Sequence, residues 1–77
     1  MNKDRRNRLS KASDLLEEAR VIIEEVRDEE EDAYDNLPEG IQDSEKGEQM
    51  QEYISLLEEA ESNIEDAISN VDEVWNP

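Results

Sequence analysis

The chain has 77 residues, no cysteine and no histidine, and 24 acidic against 8 basic side chains, for a formal charge of −16. Such a length holds one small domain at most, with no disulfide to staple it. The usual zinc sites, thiol and imidazole catalysis, haem ligation and the histidine-containing di-iron motif are excluded, and the charge opposes contact with nucleic acid or anionic lipid, so the expected partner is a basic protein and no cofactor or metal is expected.

Residues 1 to 11 run against the general trend. Lys3, Arg5, Arg6, Arg8 and Lys11 against Asp4 give a local net of +4, leaving −20 for residues 12 to 77. No apolar run follows these basic residues and none reaches membrane-spanning length, so neither a signal peptide nor an anchor is expected and the cytoplasm is the expected location. Asn2 and Ser10 can each cap the helix that follows.

Low hydrophobicity with high net charge is the composition of disordered chains, and periodicity decides against that outcome. Leu9, Ala12, Leu16, Ala19, Ile23, Val26, Ala33 and Leu37 step alternately by three and four, with Glu30 the one exception. This seven-residue repeat predicts a helix over about residues 3 to 36. Pro38 then pushes Leu37 out of helical geometry and Gly40 suits a turn, which sets a hinge at 37 to 44. Ser44 is the expected N-cap of a second helix over about 45 to 75, with Glu45 and Glu48 favoured in its first turn and Gly47 weakening it. Its stripe is Met50, Tyr53, Leu57, Ala60, Ile64, Ala67, Val71 and Val74. "LLEEA" at 15 to 19 and again at 56 to 60 marks a faint internal repeat.

The expected fold is therefore all-α, a single-domain antiparallel two-helix hairpin of coiled-coil type. Facing residue numbers should add to 83, setting an alanine against a larger side chain in five of eight layers, such as Leu16 with Ala67 and Ile23 with Ala60. The same register puts Lys11 near Asp72, Arg20 near Glu61, and the Tyr53 hydroxyl in hydrogen-bond reach of Glu30. One narrow seam buries little, and further apolar side chains flank it: Leu15, Ile22 and Leu56 on one side, Tyr34, Ile54, Ile68 and Trp75 on the other. Burying one of these flanks between two copies predicts a homodimeric four-helix bundle.

Chemistry is sparse. A calcium loop started at Asp35 places Gly40 sixth but Leu37 third and Lys46 twelfth, which breaks the ligand pattern. Paired carboxylates abound, yet a two-helix seam offers no cleft to shift their pKa values, so no enzyme activity and no catalytic residue are expected. Arg5, Arg6 and Arg8 can hold a phosphate, or be satisfied beside the negative C-terminal end of the second helix near Asp72 and Glu73. The densest acidic run is Asp28, Glu29, Glu31, Asp32, Asp35 and Glu39 at the hinge. With −20 along a rod of roughly 45 Å, about 30 residues at 1.5 Å, the spacing is about one charge per 2 Å, against about 1.7 Å in duplex DNA. Such charge also serves solubility alone on many helical proteins.

The stretch from Glu24 to Trp75, with Arg27, Asp28, Glu29, Ala33, Asn36, Leu37, Pro38, Glu39, Ser44, Glu45, Gly47 and Met50 and the Leu57–Ala60 heptads, resembles small acidic proteins encoded by phages and prophages of Gram-positive bacteria. It covers about two thirds of the chain, and the hinge "NLPEGIQDSEKGEQM" is its distinctive part. The resemblance implies a setting rather than functional residues: an inhibitor of host defence of the anti-CRISPR or anti-restriction kind, occupying a basic nucleic-acid groove. Two alternatives stay open. One is an oligomeric sponge that takes a nucleotide immune signal on Arg5, Arg6 and Arg8; the other is a structural or regulatory adaptor binding through Leu15, Ile22, Ile54 or Ile68.

Overall fold

A computed structural model describes all 77 residues. The chain folds as helix α1 (Lys3–Asp35), a short helical turn α2 (Glu39–Gln42) and helix α3 (Glu45–Trp75), with α1 packed antiparallel on α3. The rod measures 58 × 14 × 14 Å between Cα atoms. No helix is long and apolar enough to cross a membrane.

Local chemistry sets the helix ends. The Asn2 side chain accepts a 2.9 Å hydrogen bond from the Arg5 amide, satisfying one of the orphan donors of the first turn, so α1 starts at its first eligible cap and not at Ser10. It ends at Asp35, followed by Asn36 and the proline-restricted Leu37. Ser44 stands at the N-cap of α3 as expected, but its hydroxyl bonds back to the Ile41 carbonyl and not forward into the helix. The turn α2 begins immediately after Pro38, whose carbonyl accepts from the Ile41 and Gln42 amides at 2.8 and 3.0 Å. Gly47 is buried because the hinge lies against α3: a Cβ there would come 2.0 Å from the Gln42 carbonyl oxygen. At Gly47 the chain needs the missing side chain, and the weak helix propensity follows from that need.

The seam differs from the expected one by a rotation of each helix. Leu9, Leu16, Ile23, Glu30, Met50, Leu57, Ile64 and Val71 are half-buried as expected, but their companions are Ser13, Arg20, Arg27 and Tyr34 on α1 and Ile54, Glu61, Ile68 and Trp75 on α3. Val26, Ala33, Tyr53 and Val74, assigned to the seam by the heptad count, are exposed, and Ala12, Ala19, Ala60 and Ala67 lie at its edge. Facing numbers add to 85 for Ser13–Asp72 and Tyr34–Gln51, in place of 83. Ser13, not Lys11, meets Asp72; Arg27, not Arg20, meets Glu61; and the tyrosine that bonds across is Tyr34 to Gln51, not Tyr53 to Glu30. The physical reason is size: a lone hairpin removes more apolar area from water by seating Tyr34, Ile54, Ile68 and Trp75 than by seating alanines, while the arginine stems lie along the seam with their heads reaching carboxylates. Even so, no hydrophobic residue is fully buried.

Candidate protein-binding faces

The two edges of the seam have opposite chemistry. In an antiparallel pair, equivalent heptad positions flank the seam on the same side. One edge is formed by Ser10, Glu17, Glu24 and Glu31 of α1 with Gln51, Glu58, Glu65 and Asp72 of α3, and six of these eight are acids. An open groove of about 480 Å³ confirms the placement, since Glu31, Tyr34 and Asp35 line it together with Gln51, Ile54 and Ser55. The other edge carries Ala12, Ala19, Val26 and Ala33 with Tyr53, Ala60, Ala67 and Val74, all apolar.

Polar contacts lace the acidic edge. Asp72 Oδ1 accepts from Ser13 Oγ at 2.6 Å and from Trp75 Nε1 at 2.8 Å, and these donors hold its carboxyl below the usual aspartate range. Arg20 donates to Glu17 at 2.6 Å and Glu24 at 2.9 Å; the Glu17 carboxyl is lowered and the guanidinium raised by these hydrogen bonds, with the charges adding in the same direction. Arg27 reaches Glu61 at 2.8 Å, Asp28 at 3.2 Å and Glu31 at 3.9 Å. The Arg27–Glu61 contact is ionic only. Its N–H is angled off the carboxylate oxygen, and neither atom has another hydrogen-bond partner.

The hinge acids fall into two groups. Asp32, Asp35, Glu29 and Glu39 are exposed, whereas Asp28 and the half-buried Glu31 are engaged by Arg27. Glu31 and Asp35 also line the groove, against the Tyr34 ring and Ile54, with the Tyr34 hydroxyl accepting from Gln51 Nε2 at 2.8 Å. A partner's lysine or arginine laid there meets two carboxylates and an aromatic face. No group of three or more carboxylates is gathered closely enough to hold a metal ion.

The expected self-association residues separate as well. Leu15, Ile22 and Leu56 stand out in solvent, Ile22 with 60% of its surface exposed, while Tyr34, Ile54, Ile68 and Trp75 are half-buried in the seam. Arg5, Arg6 and Arg8 do not pair with Asp72 or Glu73: Arg8 bonds Asp4 at 3.1 Å, and Arg5 and Arg8 share a depression with Met1 and Leu9. The rod is longer than the expected 45 Å. At 58 Å the whole chain's −16 gives one charge per 3.6 Å, so a single hairpin falls well short of DNA's spacing of about 1.7 Å.

Heptad counting missed Ser13, Arg27 and Gln51 in the polar lacing, and it gave Glu61 and Asp72 the wrong partners. A signal for the first two existed: Ser13, Arg20, Arg27 and Tyr34 recur every seven residues, the spacing of a seam position.

Fold and faces together define an antiparallel helical hairpin of coiled-coil character, whose candidate sites are surfaces and an open groove. Comparison with protein-family models, curated proteins and solved structures finds no match to this chain.

Proposed function

We propose that this chain is a non-enzymatic, phage-encoded inhibitor of a bacterial defence system, anti-CRISPR-like in kind, that works in the host cytoplasm by covering a basic nucleic-acid-binding surface of its target. Its working form is a homodimer, a four-helix bundle of two hairpins. The observation that carries this reading is the sorting of charge. Acids occupy one edge of the seam and the hinge, and the arginines there are already committed, Arg20 to Glu17 and Glu24 and Arg27 to Glu61, Asp28 and Glu31. That leaves Asp32, Asp35 and Glu39 for an incoming lysine or arginine cluster, with the Glu31–Asp35 groove as the anchor. The phage setting rests on the sequence resemblance.

The test is affinity capture with tagged protein from a nuclease-treated bacterial host lysate, with bound proteins identified by mass spectrometry. A basic nucleic-acid-binding protein is the expected catch, and the combined variant Asp32→Asn, Asp35→Asn, Glu39→Gln should lose it while keeping its helix content. Undiminished capture by that variant would remove the hinge from the binding surface. Loss of capture on Arg5→Glu or Arg8→Glu with a nucleotide bound to the wild type would instead favour the sponge.

A further inference from the structure

The apolar edge has no partner within the hairpin. Six of the nine large hydrophobic residues exposed on the molecule, Leu15, Ile22, Val26, Tyr53, Leu56 and Val74, lie on this one side. Together with Ala12, Ala19, Ala60, Asn63, Ala67 and Asn70 they form a stretch without a charge, in a chain that is 42% charged. Charges bound it: Arg8 toward the N-terminus and Glu29 toward the hinge, at nearly equal distances on either side of Ala19.

We infer that this edge is a homodimer interface in which two hairpins pack face to face and antiparallel, Arg8 of each against the partner's Glu29. The inference rests on the dimeric form proposed above and specifies its face and direction. Area supports a second copy as occupant. Tyr53 to Val74 is 22 residues, about 33 Å at 1.5 Å each, and two helices of about 10 Å width make roughly 660 Å² per copy, or about 1,300 Å² per pair. Specific stable interfaces begin at about 1,200 Å². The small side chains Ala12, Ala19, Ala60 and Ala67 allow close approach of the helices, and Leu15, Ile22 and Leu56 reach across to the partner. A hairpin with no fully buried hydrophobic residue gains in this way the dry centre it lacks.

Charge selects the direction. A parallel pair sets six acids between Asp28 and Asp35 against their own copies, whereas an antiparallel pair sets each acidic hinge beside a basic N-terminal segment. The pairing also changes what the molecule offers a basic partner. Two chains of −16 fully overlapped along 58 Å carry about one charge per 1.8 Å, close to the DNA spacing of about 1.7 Å that one hairpin alone misses.

Sedimentation of the isolated protein, with no basic partner present, tests the interface separately from target binding. Wild type is expected to be a dimer that tightens as salt rises, because screening relieves repulsion between the two negative chains. Ile22→Glu, at a position already exposed in one hairpin, should give monomers. The chain has no cysteine, so a second arm needs no background removal: Arg8→Cys chains mixed with Glu29→Cys chains should be joined by a short bismaleimide, and neither should be joined alone. This arm reads the interface even if Ile22→Glu unfolds the hairpin. A wild type that stays monomeric at all concentrations, or an Ile22→Glu variant that is still a dimer, overturns the face; Arg8→Cys joined to itself overturns the direction.

Discussion

The same substitution at the two glycines is expected to act with opposite sign. At Gly47, inside α3, alanine gains about 1 kcal/mol in intrinsic helix propensity. Its Cβ, however, falls 2.0 Å from the Gln42 carbonyl oxygen and 2.6 Å from the carbonyl carbon, where ordinary contact is 3.4–4 Å, so backbone must move by more than an ångström. The hinge cannot yield freely, because the Gln42 amide bonds the Pro38 carbonyl at 3.0 Å and its side chain bonds the Tyr34 carbonyl at 3.1 Å. Overpacking of this kind costs about 1–3 kcal/mol, and losing the Gln42–Tyr34 bond about 1 more. Gly47→Ala should therefore destabilise the protein by about 1–3 kcal/mol net, lowering Tm by roughly 5–15 °C at this chain length. At Gly40 nothing lies within 4 Å and the backbone angle is ordinary, so Gly40→Ala should stabilise by about 0.4–1 kcal/mol through the unfolded chain. Thermal unfolding followed by circular dichroism at fixed protein concentration measures both. A Gly47→Ala protein as stable as wild type, or more so, would show that the hinge does not lie against α3 as described.

Three further outcomes follow from named contacts. Asn2→Ala should cost about 1 kcal/mol by removing the bond to the Arg5 amide, whereas Ser44→Ala should cost less than a typical cap loss because its hydroxyl makes no forward bond; denaturant unfolding compares them. Glu61→Gln leaves Arg27 with Asp28 and Glu31 but costs about 1–2 kcal/mol, between an exposed and a buried pair, since Arg27 and Glu61 side chains keep only 24% and 12% of their surface in water; no change would mean the contact is dispensable. For Asp72 the folded pKa is below the unfolded one, so its contribution is fully present above the ordinary aspartate value and is lost as pH falls from there through the lowered folded value. Trp75 fluorescence should thus report loosening of that end on acidification, and Asp72→Asn should weaken that acid response; an identical acid profile in the variant would remove Asp72 as its source.

Much of the fold was legible in the chain. Pro38 and the caps Asn2 and Ser44 bracket helices whose ends agree with expectation to within a residue, and the positions Leu9, Leu16, Ile23, Met50, Leu57, Ile64 and Val71 lie in the seam under either register. The rotation was not legible, because two stripes flank those positions. One, running through Ala12, Ala19 and Val26, is apolar but small; the other, running through Tyr34, Ile54, Ile68 and Trp75, is bulky but interrupted by Arg20, Arg27 and Glu61. Periodicity rewards the unbroken stripe, while burial in a lone hairpin rewards the bulky one. The turn α2 was missed although "PEGIQ" starts with a proline placed to open a helix and an acid in its first turn. Of the candidate surface, the hinge acids were legible as a run, and the i,i+4 spacing of Arg27 and Glu31 already carried one of their pairings, whereas the reach of Arg27 to Glu61 depends on α3 lying alongside.

The measurement that bears most directly on the proposed function is competition at the captured host protein. Binding of the hairpin to that protein should fall as duplex DNA or guide RNA is preloaded, and it should weaken steeply as salt rises. Binding that is indifferent to both preloaded nucleic acid and salt would contradict a surface that works by its acids.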